Sequence, residues 1–177
     1  VVIDDSIVRG TTLENSIIAL LDKLYPKKIV IVSSAPQIRY PDCYGIDMSR
    51  MGDFIAFRAM LNLLKKDGKQ RLIEETYQKC KEELKKPFQE TTTNHVQALY
   101  NLYSYGAISA EIARMVRPKH IQAEIEIVFQ TVENLHKACP NHLGDWYFTG
   151  NYPTPGGIRV ANQAFVNFVE GKKGRAY

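Results

Sequence analysis

The residues best suited to chemistry in this 177-residue sequence are concentrated in its first twelve positions, VVIDDSIVRGTT. Asp4 and Asp5 end an apolar stretch, Val1 to Asp5, that predicts a buried strand. Two adjacent carboxylates at the carboxyl end of a parallel strand can accept hydrogen bonds from vicinal hydroxyls, or bind a hard cation such as Mg²⁺. The pair therefore predicts a ligand with a diol, or a polyphosphate that brings its own cation.

The residues after the two acids have the character of an anion-binding loop. Ser6, Thr11 and Thr12 carry hydroxyl donors, and Gly10 lets the backbone approach a phosphate closely. Apolar residues at helical spacing follow, so the loop leads into a helix N-terminus that favours an anion. The carboxylates could bind the two hydroxyls of a ribose, and the backbone amides beside them could bind its phosphate. Together they suit a ribose 5-phosphate. An acidic strand end before a capped helix, with no ligand, is the alternative that the residue types leave open.

The elements that must position this loop form a strand–helix–strand unit. A helix is predicted at Thr11 to Leu24, and Lys28 to Ser34 is rich in β-branched residues that favour a second strand. A helical crossover between two strands gives a parallel sheet. The predicted fold class is therefore α/β with a Rossmann-like βαβ unit, and Tyr44 to Met48 is a candidate for a brief third strand.

From Arg50 onward the apolar spacing becomes mainly helical. We therefore divide the chain into residues 1–50, which hold the sheet and the loop, and residues 51–177, a mainly helical C-terminal region. Helices are predicted at residues 54–64, 96–105, 109–117, 121–139 and 158–170. The first is followed by a charged segment, Lys69 to Lys86, that ends at Pro87. A strand with a turn is predicted within residues 144–157.

Composition excludes several classes of protein. The formal charge of +4 is mild and includes no concentrated basic stripe, so we expect no nucleic-acid partner. The longest apolar runs fall short of the roughly 20 residues that cross a membrane, so we expect no membrane partner. Three widely spaced cysteines, Cys43, Cys80 and Cys139, imply no disulfide framework. Reduced thiols and a cytoplasmic location are the simplest interpretation.

The opening motif resembles that of a known family. VVIDDSIVRGTT is similar to the phosphoribosyl pyrophosphate (PRPP) motif of type I phosphoribosyltransferases. Together with APQIRYPDCYGIDMS, at Ala35 to Ser49, it resembles glutamine phosphoribosylpyrophosphate amidotransferase, or amidophosphoribosyltransferase. The segment FTGNYPT, at Phe148 to Thr154, resembles a further part of the same family. The resemblance is weaker between Phe54 and Cys139.

The resemblance implies an activity and a set of ligands. The family converts PRPP and glutamine to 5-phosphoribosylamine, glutamate and pyrophosphate in the first committed step of de novo purine biosynthesis. Asp4 and Asp5 match the pair that contacts the ribose hydroxyls and Mg²⁺. The residues that match the 5-phosphate cradle are Ser6, Ile7, Val8, Arg9, Gly10, Thr11 and Thr12. The same pocket accepts AMP and GMP as inhibitors in the family, and a homo-oligomer is implied.

Two departures from the family limit this expectation. The chain begins inside a strand at Val1, which we interpret as a fragment cut just ahead of its binding loop, with the N-terminal glutaminase domain as its missing partner. That domain uses an N-terminal cysteine nucleophile, so we expect no catalytic residue in this chain and no activity from it alone. Some members hold an iron–sulfur cluster, but Cys43 is isolated and no Cys-x-x-Cys precedes Phe148, so we expect none.

Two questions stay open at this stage. The same loop could serve a non-catalytic module that senses PRPP or purine nucleotides instead of an enzyme. Arg39 and Arg58 are also candidates for a phosphate contact, although a solvated or ion-paired role is the more ordinary expectation for each arginine.

Overall fold

The fold is built on a parallel sheet, in a computed structural model that describes residues 1–42, 48–142 and 144–176. Its strands are β1 (Val2–Asp4), β2 (Lys28–Ser33) and β3 (Glu124–Phe129), in the order β1-β2-β3. A π-helical turn, Leu13–Ile17, and helix α1, Ile18–Asp22, connect β1 to β2. Both strand pairs are parallel, so the predicted α/β class and its βαβ unit are confirmed.

The rest of the described chain is mainly helical. The helices are α2 (Ile55–Lys66), α3 (Arg71–Lys85), α4 (Gln97–Tyr100), α5 (Tyr105–Val116), α6 (Val132–Ala138), α7 (Trp146–Thr149) and α8 (Pro155–Val169). Short 3-10 turns at Met51–Asp53 and Phe88–Glu90 precede α2 and follow α3. Across the described ranges, none of the helices is both long enough and apolar enough to span a bilayer.

Three element predictions differ from the structure. The predicted helix at residues 121–139 is wrong, because residues 124–129 form β3 and only Val132–Ala138 is helical. The strand predicted within residues 144–157 is also wrong, because Trp146–Thr149 is a short helix. Of the helix predicted at residues 96–105, the structure has only the short helix Gln97–Tyr100. The predicted strand at Tyr44 to Met48 falls largely outside the described residues.

The third strand owes its position to long-range pairing with β2. Lys28 lies opposite Glu124 in the register, and its Nζ is 3.1 Å from Glu124 Oε1 and 2.6 Å from Glu126 Oε2. On the other face of the same strands, Ile31 lies opposite Ile127, and both side chains are buried. A strand from the C-terminal part of the chain thereby joins the sheet that begins at Val2.

The helices cover one face of the sheet. Ile29, Ile31 and Ile127 are buried in the common core, whereas Ile3 and Val128, on the opposite face, are 76% and 41% exposed. Helix α5 packs against β3 and against α2, and α8 packs against α3. This arrangement places the N-terminal end of α2 next to the loop that follows β1.

A buried carboxylate connects α3 to the segment that follows it. Glu83 accepts hydrogen bonds from the backbone N–H of Thr92 at 2.8 Å and of Thr93 at 3.2 Å, and from Lys86 Nζ at 2.6 Å. Its side chain is only 2% exposed. Burial alone would raise the pKa of Glu83, but Lys86, the two N–H groups and His95 together lower it to about 2. The carboxylate therefore stays ionised and holds residues 91–95 in place.

Candidate functional site

The loop after β1 encloses a cavity of about 480 Å³. The cavity lies beyond the carboxyl end of β1, where open α/β sheets bind their ligands. Its lining is Asp4, Asp5, Ser6, Ile7, Val8, Arg9, Gly10, Thr11, Thr12, Leu13 and Met48. The structure thus brings all the residues of the predicted site to one cavity, and it adds Leu13 and Met48.

The backbone that carries the two carboxylates is fixed by the residues that follow β2. The carbonyl of Asp4 accepts a hydrogen bond from the Ser34 N–H at 2.9 Å, and that of Asp5 accepts one from the Ala35 N–H at 3.1 Å. Asp4 is half-buried and Asp5 is exposed. Partial burial, and then the charge of Asp5, raise the pKa of Asp4 above its ordinary value of 3.8. Bringing two ionised groups together in this way carries an electrostatic cost that a bound cation or hydroxyl donors would relieve.

These carboxylates fit the preferences of Mg²⁺, which takes hard oxygen ligands and usually binds through one or two carboxylates, waters and phosphate oxygens. In the described parts of the chain, no group of three or more His, Cys, Asp or Glu side chains could hold a metal ion. Asp4 and Asp5 could contribute two of the ligands of a Mg²⁺ ion. Cys43, the isolated cysteine that argued against an iron–sulfur cluster, lies outside the described residues.

The carbonyl groups of the loop are held by the body of the protein. The Val8 carbonyl accepts a hydrogen bond from the Ile55 N–H at 2.7 Å, and the Arg9 carbonyl accepts one from Arg58 Nη2 at 2.6 Å. The Gly10 carbonyl accepts the N–H of Glu14 at 3.1 Å, which closes the first turn of the helix. Three successive carbonyls are thus engaged, and the path of the loop is set by α2 and by its own helix.

Arg58 therefore has a role that the sequence did not predict. It was a candidate for a phosphate contact, but its guanidinium supports the loop backbone through the Arg9 carbonyl. A second contact of the loop joins Arg9 Nη2 to Asp53 Oδ2 at 3.9 Å. Arg58 lies in α2 and Asp53 in the 3-10 turn that precedes it, more than 40 residues along the chain from Arg9, so no local pattern could have found either contact.

Gly10 is required at its position for two reasons. Its φ of 76° lies in the left-handed region, which residues with a side chain rarely adopt. A Cβ atom at Gly10 would also lie 2.3 Å from Ile55 Cδ1 and 3.2 Å from Val116 Cγ1. The sequence predicted a close approach to a phosphate here; the structure adds a close approach to α2 and α5.

The loop ends in an uncapped helix start. The helix begins at Thr11, and Thr12 makes no side-chain capping hydrogen bond. Within the described chain, the N–H groups of Gly10, Thr11 and Thr12 donate to no protein acceptor. Such first-turn N–H groups are the usual anion-binding donors of a helix. The π-helical turn that follows, Leu13–Ile17, is a rare conformation that occurs frequently at functional sites.

Arg39 lies in the protein core, away from solvent. Its side chain is buried, its Nε and Nη2 donate to Gln37 Oε1 at 3.1 and 2.7 Å, and its guanidinium carbon lies 3.8 Å from the centre of the Tyr105 ring. Gln37 in turn donates to the Tyr105 carbonyl at 2.9 Å. The expectation of a solvated or ion-paired Arg39 is wrong, because an amide oxygen and an aromatic face take the place of a carboxylate.

The two distant segments that carried the family resemblance lie against each other. The N–H groups of Arg39 and Tyr40 both donate to the carbonyl of Tyr147, the residue immediately before FTGNYPT, at 2.8 and 3.1 Å. The hydroxyl of Tyr152 donates to the Pro41 carbonyl. The FTGNYPT segment thus supports the connection that follows β2, and contributes no described residue to the lining of the loop cavity.

Comparison with curated proteins finds similarity to amidophosphoribosyltransferases. The enzyme of Pasteurella multocida is 51% identical over 55 residues, which cover 31% of this chain and 11% of the relative. The enzyme of Escherichia coli is 50% identical over 54 residues, 30% of this chain and 10% of the relative. The enzyme of Pyrococcus horikoshii is 37% identical over 67 residues, 38% of this chain and 15% of the relative.

These matches concern about a third of the chain. They span between a tenth and a seventh of the length of those relatives. No family model and no solved structure matches the chain. The chain is therefore similar to amidophosphoribosyltransferases over a limited region.

Proposed function

We propose that the loop of residues 4–12 binds PRPP together with Mg²⁺, as the substrate-binding part of an amidophosphoribosyltransferase. The observation that carries this proposal is the meeting, in one cavity, of two adjacent carboxylates with a glycine loop whose first helical N–H groups have no protein acceptor. The similarity to amidophosphoribosyltransferases supports it independently. In the whole protein the reaction would convert PRPP and glutamine to 5-phosphoribosylamine, glutamate and pyrophosphate, the first committed step of purine synthesis.

Each part of the loop would recognise one part of the ligand. Asp4 and Asp5 would accept hydrogen bonds from the two ribose hydroxyls, and their charge would attract the cation that accompanies a pyrophosphate. The N–H groups from Gly10 to Thr12, with the hydroxyl of Ser6, would donate to the 5-phosphate. When bound, Mg²⁺ would offset the negative charge of the pyrophosphate. The residues of this chain bind and orient the ligand.

We assign no catalytic residue to this chain. The family resemblance assigns the cysteine that releases ammonia from glutamine to a separate N-terminal glutaminase domain. We therefore expect the isolated chain to bind PRPP without forming 5-phosphoribosylamine from PRPP and glutamine. Formation of that product by the pure chain would contradict this part of the proposal.

A second candidate function is a module that senses PRPP or the purine nucleotides AMP and GMP without catalysis. The same observation supports it, because the carboxylates and the loop N–H groups are binding groups that a sensor would use equally. The two functions differ in the longer protein. Glutamine-dependent turnover of PRPP by the full-length protein would support the enzyme, and binding without turnover would support the sensor.

Isothermal titration calorimetry tests the binding proposal. PRPP with Mg²⁺ is titrated into the chain, into Asp5→Asn, and into Asp22→Asn as a matched control at the end of α1. We expect saturable binding, weakened at least tenfold by Asp5→Asn and unchanged by Asp22→Asn, because a hydrogen bond to a charged group contributes about 1.5–3 kcal/mol. The absence of saturable binding to the folded chain would contradict the proposal, as would equal affinities of the two variants.

A further inference from the structure

A second cavity, of about 270 Å³, lies where the turn before α2 meets the end of α8. Residues 49–53 line one side of it, and Ala164, Asn167, Phe168 and residues 171–174 line the other. We call it the tail cavity. Within the described chain it shares no lining residue with the loop cavity, so the proposed function leaves it unexplained.

Two cations that line the tail cavity have no acid to pair with in the described chain. The side chains of Arg50 and Lys173 are exposed, and neither makes an ion pair or a side-chain hydrogen bond there. The other charges of the lining are already paired. Lys172 Nζ lies 2.6 Å from Glu170 Oε2, and Asp53 pairs with the arginine of the loop after β1. The cavity therefore has an excess of positive charge that favours an anion.

A buried hydroxyl in the tail cavity is also without a partner. Ser49 is only 7% exposed, and it lines the cavity. Its hydroxyl makes no hydrogen bond in the described chain, yet it is not among the unpaired polar atoms there that are closed off from solvent. Leaving a buried hydroxyl unpaired is unfavourable, and a ligand that accepts its hydrogen bond removes that cost. Ser49 therefore adds a neutral donor to the two cations.

The remaining wall of the tail cavity is apolar. Met51 and Ala164 are buried, whereas Phe168 is 37% exposed. The Phe168 ring is held edge-on against Phe57, with the ring centres 4.9 Å apart. Gly52 lets this ring lie against the turn, since a Cβ there would be 2.9 Å from Phe168 Cδ2. A fixed and partly exposed aromatic ring suits a ligand with a flat apolar body.

We propose that the tail cavity binds a small phosphomonoester whose apolar body lies against Phe168. Its phosphate accepts hydrogen bonds from Arg50, Lys173 and the Ser49 hydroxyl. A phosphomonoester has about two negative charges at neutral pH and three acceptor oxygens, which match two cations and one hydroxyl. A carboxylate would leave one of the cations without a counter-charge. Because pockets for drug-sized ligands measure about 300–1,000 Å³, the ligand here is a small one.

Residue-resolved NMR of the ¹⁵N-labelled chain gives the first test, with phenyl phosphate as the probe. We expect saturable amide shifts at Ser49, Gly52 and Lys173, which line the tail cavity. Inorganic phosphate, which lacks the ring, and benzoate, which has a carboxylate in place of the phosphate, should bind more weakly. Shifts confined to Gly10, Thr11 and Thr12 would place the probe in the loop cavity and overturn the proposal.

Charge-removing variants test the donors. Arg50→Gln and Lys173→Gln each remove an exposed cation, and each should weaken phenyl phosphate binding about tenfold, because a hydrogen bond to a charged group is lost. Ser49→Ala should weaken it by a smaller factor. Lys119→Gln is the matched control, since Lys119 is an exposed lysine without a partner in the described chain and lies outside both cavities. It should leave the affinity unchanged.

Equal affinities of Lys173→Gln and Lys119→Gln for phenyl phosphate would overturn the assignment of the site. Benzoate that binds as tightly as phenyl phosphate would overturn the assignment of the ligand, and the absence of any saturable shift at the tail cavity would overturn both. PRPP binding is followed at different amides, those of Gly10 to Thr12. Failure of either proposal therefore leaves the other standing.

Discussion

The most informative single substitution is Gly10→Ala, because two separable costs follow from the structure. A left-handed backbone carrying a side chain costs about 1–2 kcal/mol. The new Cβ would lie 2.3 Å from Ile55 Cδ1, and forcing extra atoms into a packed site costs about 1–3 kcal/mol more. We therefore expect Gly10→Ala to lower the free energy of unfolding by about 2–5 kcal/mol. For a chain of this size that is a fall in Tm of very roughly 4–20 °C.

A second variant isolates the overlap from the backbone cost. Ile55→Val removes Cδ1, the atom that a Cβ at Gly10 would meet, and alone costs about 0.5–1.5 kcal/mol. In that background Gly10→Ala should cost about 1–3 kcal/mol less than in the parent chain. Gly68→Ala is the matched control, because Gly68 has a φ of 67° with nothing within 4 Å of an added Cβ. It should show the backbone cost alone.

Urea unfolding followed by circular dichroism measures all of these differences. The reasoning is refuted if Gly10→Ala costs the same with isoleucine or valine at position 55, or if it costs no more than Gly68→Ala. The affinity for PRPP, measured on the same variants, should report the distortion of the loop. It should fall in Gly10→Ala and recover in part when Ile55→Val is added. Because Gly68 lies outside the loop cavity, its substitution should leave PRPP affinity unchanged.

Three further predictions concern charged groups. Because the pKa of Glu83 is about 2 instead of 4.5, its ionised form should stabilise the fold by about 3 kcal/mol above pH 4.5, a contribution lost as the pH falls toward 2. Urea titrations should show this loss in the parent chain and not in Glu83→Gln. Since the pKa of Asp4 is raised, protonation of its carboxylate should make the affinity for PRPP with Mg²⁺ fall as the pH decreases. Asp4→Asn should flatten this dependence of affinity on pH. The same pH dependence in the parent chain and in Asp4→Asn would contradict the assignment. Arg58→Ala, which removes the donor to the Arg9 carbonyl, should weaken PRPP binding about tenfold. Arg71→Ala, at an exposed ion pair of α3, should not.

Local patterns predicted the first βαβ unit because its parts are consecutive in the chain. The strand β3 was not predicted, since Ile121, Ile125 and Val128 fit helical spacing as well as they fit a strand followed by α6. The alternation from Glu124 to Ile127 is short, and what decides its conformation is pairing with β2, almost 100 residues earlier. Tertiary pairing of this kind leaves only a weak local signal.

The candidate site also has a local part that the sequence predicts and a long-range part that it does not. Its cavity is lined largely by one contiguous loop. Residue types predicted Asp4, Asp5, Ser6, Gly10, Thr11 and Thr12, and the family resemblance added Ile7, Val8 and Arg9. Its support comes from Ile55, Arg58 and Val116, which approach the loop only after α2 and α5 have packed. Arg39 was expected to be solvated or ion-paired because a buried arginine without a carboxylate is rare. Its partner Gln37 could not be identified from sequence alone.

The central claim is that PRPP binds in the loop after β1, and residue-resolved NMR tests it most directly. PRPP with Mg²⁺ is titrated into the ¹⁵N-labelled chain, and the amide shifts are followed. We predict saturable shifts at Gly10, Thr11 and Thr12, whose N–H groups have no acceptor in the described chain, and smaller effects on α3 and α8. Shifts that saturate at another surface while these three amides stay unchanged would contradict the account.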